Sequence, residues 1–303
     1  MEQAKFIDYI QYEKRYSPHT VLAYCKDLDQ FYSFLDIQYN TTDIREVTHP
    51  MIRSWLVSLI EEKISPRSVN RKLTTLKSFY KFMVREGIVS VNPMRKIISM
   101  KTAKKLPSYV EKDKMMTLFD KVDFGAGFPG LRDRMIMELF YATGMRSSEL
   151  INLKESDVDF YQSALKVLGK RNKERLIPFS NKFADLLKNY LREKLTYLEN
   201  AESPKSLEIQ HEQWVIILNN GKKTYPRFVY SIVRKYLTQV TTSQKVSPHV
   251  LRHTFATHLL NNGAELNAVK ELLGHANLSA TQIYTHNTIE KLKTIYKQAH
   301  PKA

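Results

Sequence analysis

Hydrophobic positions in the first part of the chain recur every three or four residues, the period of one helix face. "SPHTVLAYCKDLDQFYSFL" opens with Ser-Pro, a helix start signal, and then sets Val21, Tyr24, Leu28, Phe31 and Phe34 on one side. "THPMIRSWLVSLIEE" repeats the pattern with Ile52, Trp55, Leu56 and Leu59. "SPRSVNRKLTTLKSFYKFMVREG" does so again with Val69, Leu73, Leu76, Phe79 and Phe82, and Gly87 supplies a stop. The pattern changes near the middle of the chain. From "DVDF" through "ALKVLGKRNKERLIPF", short apolar runs flank the polar turn Gly169-Lys170-Arg171-Asn172, which reads as a small strand region. Helical spacing then returns and persists to "HNTIEKLKTIYKQAHPKA", where Ile289, Leu292, Ile295 and Tyr296 form one stripe. There is no internal repeat or low-complexity tract. The expected fold class is mainly α with a small β-sheet, in two domains.

Charge changes this picture. The 303 residues carry a formal net charge of +16, a balance that points to a polyanionic partner, nucleic acid or an anionic surface. Arg67, Arg71, Lys72, Lys77 and Lys81 share one of the helical segments. A solvated face is the plain alternative, but beside the overall basicity they favour a DNA-facing surface. Residues 92–107, "NPMRKIISMKTAKKLP", hold five basic residues, no acid and a proline near each end. That composition predicts an extended linker between a helical domain at 1–91 and a mixed α/β domain at 108–303. No apolar run approaches the roughly 20 residues of a membrane span. The N-terminal "MEQAKFIDYIQYEKRY" lacks the apolar stretch of a secretory signal. Cys25 is the only cysteine, so neither an intrachain disulfide nor a cysteine-based zinc site is available. The expected compartment is the cytoplasm, with no membrane partner.

Several residues stand where chemistry is available. "SPHVLRHTFATHLLNNG" has Ser247 as an N-cap, Pro248 at the first helical position and Gly263 as its stop. His249 and Arg252 then fall on one face of the first turn, beside backbone N–H groups at the positive end of the helix. His253 and His258 lack the adjoining glutamate of a zincin pattern, so a metal site ranks low. In "YATGMRSSELINL", Gly144 ends one helix and leaves Arg146 at the start of the next. Two arginines at helix starts suit the non-bridging oxygens of one phosphate. Lys170 is either a solvated turn lysine or a general acid. "GHANLSATQIYTH" places Tyr284 nine residues after His275, and alone it would pass as one more packed aromatic.

Taken in order, "TGMRSSEL", "LGKRNKER", "HVLRHTFATHLL" and "LLGHANLSATQIYTH" resemble the motifs of the tyrosine recombinases, and within them the Xer-type recombinases and related integrases. The likeness spans the whole second domain and extends to the helical front half and its linker. It implies a C-shaped clamp on DNA, made of a SAM-like core-binding domain and a catalytic domain ending in a tail helix. It implies that Arg146 and Arg252 bind the scissile phosphate and that Lys170 protonates the leaving 5′ oxygen. It further implies that His249 exchanges a proton with the nucleophile, that His275 supports the transition state, and that Tyr284 is that nucleophile. Ser147 departs from the pattern, which commonly has an aliphatic residue there.

The resemblance implies a DNA strand transferase that works through a 3′-phosphotyrosyl intermediate and a Holliday junction, with no metal, ATP or other cofactor. Expected partners are double-stranded recombination sites and a homo-tetramer, or a hetero-tetramer with a paralogue, on two duplexes. Within it the tail docks on a neighbouring protomer, whereas docking on its own domain is the commoner fate of a terminal helix. Chromosome dimer resolution is the expected role. Integration of a mobile element is the alternative, followed by a type IB topoisomerase and a non-catalytic DNA-binding protein.

Overall fold

The computed structural model describes residues 2–102, 108–169, 174–200, 214–243, 245–274 and 286–302. The chain forms two compact units, Met1–Lys105 and Leu106–Ala303. No described helix is long and apolar enough to cross a membrane.

The first unit is helical: α1 (Glu2–Asp8) passes into a π turn, followed by α2 (Pro18–Tyr39), α3 (His49–Glu61) and α4 (Pro66–Arg85). Ser17 and Ser65 act as the start signals the sequence advertises. Their side chains accept from the amides of Thr20 and Ser68, with proline at the first helical turn. The predicted stripes meet in one core, where Leu28, Phe31, Trp55, Leu73, Leu76 and Phe79 are all buried. Phe31 and Trp55 lie with ring centroids 4.9 Å apart. Truncating such a packed side chain to alanine costs about 3–5 kcal/mol.

The basic residues of α4 are not all alike. Asp27 of α2 is buried, and its carboxylate accepts from Lys72 Nζ at 3.1 Å, from Thr75 Oγ1 at 2.9 Å and from Arg71. Two cations and a hydroxyl thereby offset the cost of taking a carboxylate out of water. Lys72 therefore belongs to the interior, while Arg67 and Lys81 are exposed.

The composition of 92–107 reads as a linker, yet its front part completes the first unit. Met94 and Ile97 are buried in that unit's core. The side chain of Asn70 donates to the Met100 carbonyl at 2.9 Å and accepts from the Met100 amide at 2.8 Å. The apolar residues among the lysines outweigh the composition, because they find a core to enter. Residues 103–107 lie outside the described set.

The second unit contains α5 (Lys112–Lys121), α6 (Gly127–Thr143), α7 (Ser147–Ile151), β1 (Val158–Asp159), β2 (Ala164–Leu168) and β3 (Glu174–Pro178). It continues with α8 (Asn181–Glu199), α9 (Pro226–Val240), α10 (Pro248–Asn261), α11 (Leu266–Leu273) and α12 (His286–Ala299). The strands form one antiparallel sheet in the order β1-β2-β3, with Val167 opposite Arg175. Helix α6 is buried on almost every side and packs against α8, α9 and α10. It stops at Gly144, whose φ of +58° is a left-handed cap. A Cβ there would lie 2.4 Å from the Phe255 ring, so only glycine fits.

Helix α12 docks on its own unit. Leu292, Tyr296 and Ala299 join Phe255, Leu259 and Leu272 in one buried cluster. Asn262 Nδ2 donates to the Ala299 carbonyl at 2.7 Å. Beyond the helix, His300 Nε2 meets the Tyr141 carbonyl at 2.9 Å, and Lys302 Nζ pairs with Glu138 at 2.5 Å. Of the two fates open to the tail stripe, this chain shows the intramolecular one. Within the single chain, α10 and α11 supply the apolar surface that this stripe covers.

Candidate active site

Three of the six residues singled out in the sequence lie within the described structure: Arg146, His249 and Arg252. Lys170, His275 and Tyr284 lie outside the described residues.

Arg146 is the N-cap of α7, in extended backbone conformation directly after the Gly144–Met145 turn. Its amide donates to Glu149 Oε2 at 2.6 Å, and its guanidinium donates through Nη1 to Glu149 Oε1 at 2.7 Å. Residue and carboxylate so close a short helix end on themselves, in the manner of a capping box. The side chain of Arg146 remains 30% exposed, so its guanidinium can reach an external ligand.

Arg252 sits one turn into α10 and is buried. Its Nη1 donates to the Gly144 carbonyl at 2.7 Å, and its Nη2 to the Leu273 carbonyl at 2.6 Å. His249 occupies the same face of α10 one turn earlier and is exposed. His258, further along, is held by the Tyr141 hydroxyl at 3.0 Å in the interior.

Two residues that sequence reasoning passed over complete the cluster. Arg175 of β3 grips Glu149 with both ends of its fork, Nη1 to Oε1 and Nη2 to Oε2, each at 2.8 Å. Its Nε donates to the Leu272 carbonyl at 2.8 Å. The end of α11 is consequently a hub. Its successive carbonyls at Leu272, Leu273 and Gly274 accept from Arg175, Arg252 and Arg146 respectively, the last at 3.4 Å. The carbonyl end of a helix is its negative pole, which favours such cations. Gly274 closes α11 at φ +64°, and a Cβ there would press on the Arg175 side chain at 3.0 Å. His275 is the next residue in the chain.

Signals for the two were present but faint. Glu149 stands three residues after Arg146, the spacing of a capping carboxylate. Arg175 shares the inward face of β3 with Ile177, and a buried arginine on an apolar face requires a partner.

The electrostatics run in one direction. Burial alone would raise the Glu149 carboxyl, but the hydrogen bonds and charge of Arg175, and then those of Arg146, hold it at about 2. Burial, followed by the neighbouring charges of Arg146 and Arg175, lowers Arg252 to about 10, with Glu149 opposing. Two guanidinium groups, those of Arg146 and Arg175, bond the Glu149 carboxylate, and Arg252 lies near enough to feel its charge, so these four side chains hold more positive charge than they neutralise. The bonds described leave further N–H donors on each guanidinium. An arrangement of this kind binds an oxyanion, and it stabilises charge that develops on a phosphate during substitution.

The comparisons with known proteins agree with this chemistry. Residues 109–291 match the phage integrase family, and residues 4–87 match the phage integrase N-terminal SAM-like domain. The chain is 40% identical to the tyrosine recombinase XerC of Oceanobacillus iheyensis, covering 98% of this chain and 95% of the relative. It is 39% identical to tyrosine recombinase XerC of Anoxybacillus flavithermus, covering 98% and 97%. Among solved structures, a post-cleavage complex of the XerH site-specific recombinase with a palindromic difH substrate superposes with a TM-score of 0.70. It has 18% identity, with 99% of this chain and 82% of that one covered. A lambda integrase dimer bound to a COC′ core site gives 0.67 at 17% identity, covering 93% and 98%. These two likenesses concern the fold.

Proposed function

This chain belongs to the phage integrase family as a tyrosine recombinase of the Xer type, and from that membership we propose how it cuts and rejoins DNA. Arg146 and Arg252 hold the non-bridging oxygens of the scissile phosphate. The Tyr284 oxygen attacks phosphorus, its proton passes to His249, and the bond from phosphorus to the 5′ oxygen breaks. Lys170 gives that oxygen a proton, while His275 hydrogen-bonds the phosphate. A phenol with a pKa of about 10 is a workable nucleophile once cations and a base assist it.

The product is a 3′-phosphotyrosyl ester. It keeps the energy of the phosphodiester, so a 5′ hydroxyl from a second duplex rejoins the strand without ATP. One round of exchange makes a Holliday junction and a second resolves it. Both units bind the duplex, and four protomers, either identical or paired with a paralogue, bring two duplexes together. Resolution of chromosome dimers is the role proposed for it, in the cytoplasm.

The observation that carries this reading is the pair of arginines hung on adjacent carbonyls beside a helix start, with uncompensated positive charge. The test is a supercoiled plasmid bearing two copies of the site that the protein selects from random DNA. A recombinase yields deletion or inversion products. Relaxation without exchange would indicate a topoisomerase, and binding without either would indicate a non-catalytic protein.

A further inference from the structure

We infer that Arg175 is a positioning residue that keeps Glu149 from claiming the charge of Arg146, leaving that charge to the scissile phosphate. The inference rests on the reading of Arg146 as a phosphate ligand. Each oxygen of Glu149 receives one bond from Arg146 and one from Arg175. The two arginines nevertheless stand differently. The Arg175 side chain is 3% exposed and that of Arg146 30%, so Arg175 lies beneath the site and acts through its neighbours.

The charge count gives the reason. Among these four described side chains, three cations stand against one carboxylate, a surplus of two positive charges. Without Arg175 the surplus falls to one, and the Glu149 carboxylate turns on Arg146 as its guanidinium partner. The bond from Arg175 Nε to the Leu272 carbonyl adds a second effect. It fixes the helix end from which Arg252 and Arg146 also hang. Arg175 stands five residues after Lys170 in the chain, and its side chain ties strand β3 to the arginines.

The charge argument makes a demand that simple packing does not: removing the Glu149 charge must relieve the loss of Arg175. The probe is a nicked duplex carrying the site that the wild-type protein selects from a random library. The readout is the single-turnover rate of covalent adduct formation at saturating protein. Arg175→Gln should slow it by about ten- to a hundredfold, the lower range for losing a charge partner of a transition state, with site affinity near wild type. Adding Glu149→Gln should recover about tenfold over the single variant. A single variant at the wild-type rate, or a pair no faster than the single, overturns the proposal. Circular dichroism checks folding. If the Gln variant does not fold, Arg175→Lys carries the same comparison with a smaller loss, and lack of relief by Glu149→Gln overturns it. Failure of the wild-type protein to form any adduct would instead refute the recombinase chemistry, so the two failures are distinguishable.

Discussion

Arg252 and Arg146 donate to consecutive backbone carbonyls, Leu273 at 2.6 Å and Gly274 at 3.4 Å. They come from helices far apart in sequence, and one helix end brings them together. Their spacing is thus set by the backbone of α11, a rigid reference, and the cost of ordering two long side chains is met before DNA arrives.

It follows that Arg146→Ala and Arg252→Ala should each slow cleavage by at least about a hundredfold while leaving site binding measurable. Arg252→Lys should also fail, because an ammonium does not reproduce a planar fork that bridges the Gly144 and Leu273 carbonyls. On the role proposed for these cations at the phosphate, cleavage should persist in excess EDTA. Loss of cleavage in chelator, restored by magnesium, would contradict the role given to the arginines.

Lys170→Ala should cripple cleavage of ordinary DNA and spare a substrate whose leaving 5′ oxygen is replaced by sulfur. A thiolate departs without the proton that an alkoxide needs. Equal impairment on both substrates would remove Lys170 from the role of acid.

Glu149 should make the protein acid-sensitive. Its folded carboxyl, at about 2, lies below the ordinary value of 4.5. The stability it contributes is therefore full above pH 4.5 and is lost as pH falls towards 2, about 3 kcal/mol in all. Glu149→Gln should flatten the fall of denaturant midpoint across that interval. Parallel pH profiles for the two proteins would show that the pairing contributes no such stability.

The tail should respond to pH in a higher window. Burial lowers His300 to about 4 from an ordinary 6.5, with Lys302 and His258 adding to it and the Tyr141 hydrogen bond opposing. The unfolded tail binds a proton below 6.5 that the docked tail refuses until about 4, so docking weakens as pH falls through that range. Hydrogen exchange along α12, corrected for intrinsic rates, should quicken there, and His300→Gln should remove the trend. Deleting residues 288–303 should lower the stability of the whole second unit, because it uncovers Phe255, Leu259 and Leu272. Unchanged melting after the deletion would mean that this packing contributes little.

Much of the framework was legible in the sequence because it is local. The Ser-Pro starts, the apolar stripes of α2 to α4 and the two apolar runs that become β2 and β3 need only neighbours in the chain to be read. The positions of Arg146 after Gly144, and of His249 and Arg252 on one helix turn, are of the same kind. What was not legible is long-range. Arg175 takes its meaning from Glu149 and Leu272, residues that periodicity cannot bring together. The packing of Met94 and Ile97 was hidden by the lysines around them, and the basic face of α4 by the buried Asp27 that claims Lys72 and Arg71. The tail stripe was plain, but its partner was not, since a stripe names no groove.

The central claim is that Tyr284 is the nucleophile. Its most direct test is to trap the protein on a nicked duplex carrying its selected site, digest the adduct, and identify the modified peptide by mass spectrometry. The account predicts a nucleotide joined by its 3′ phosphate to Tyr284, and none with Tyr284→Phe, which should still bind the site. A DNA adduct on another residue, or one that survives in the Phe variant, would contradict it.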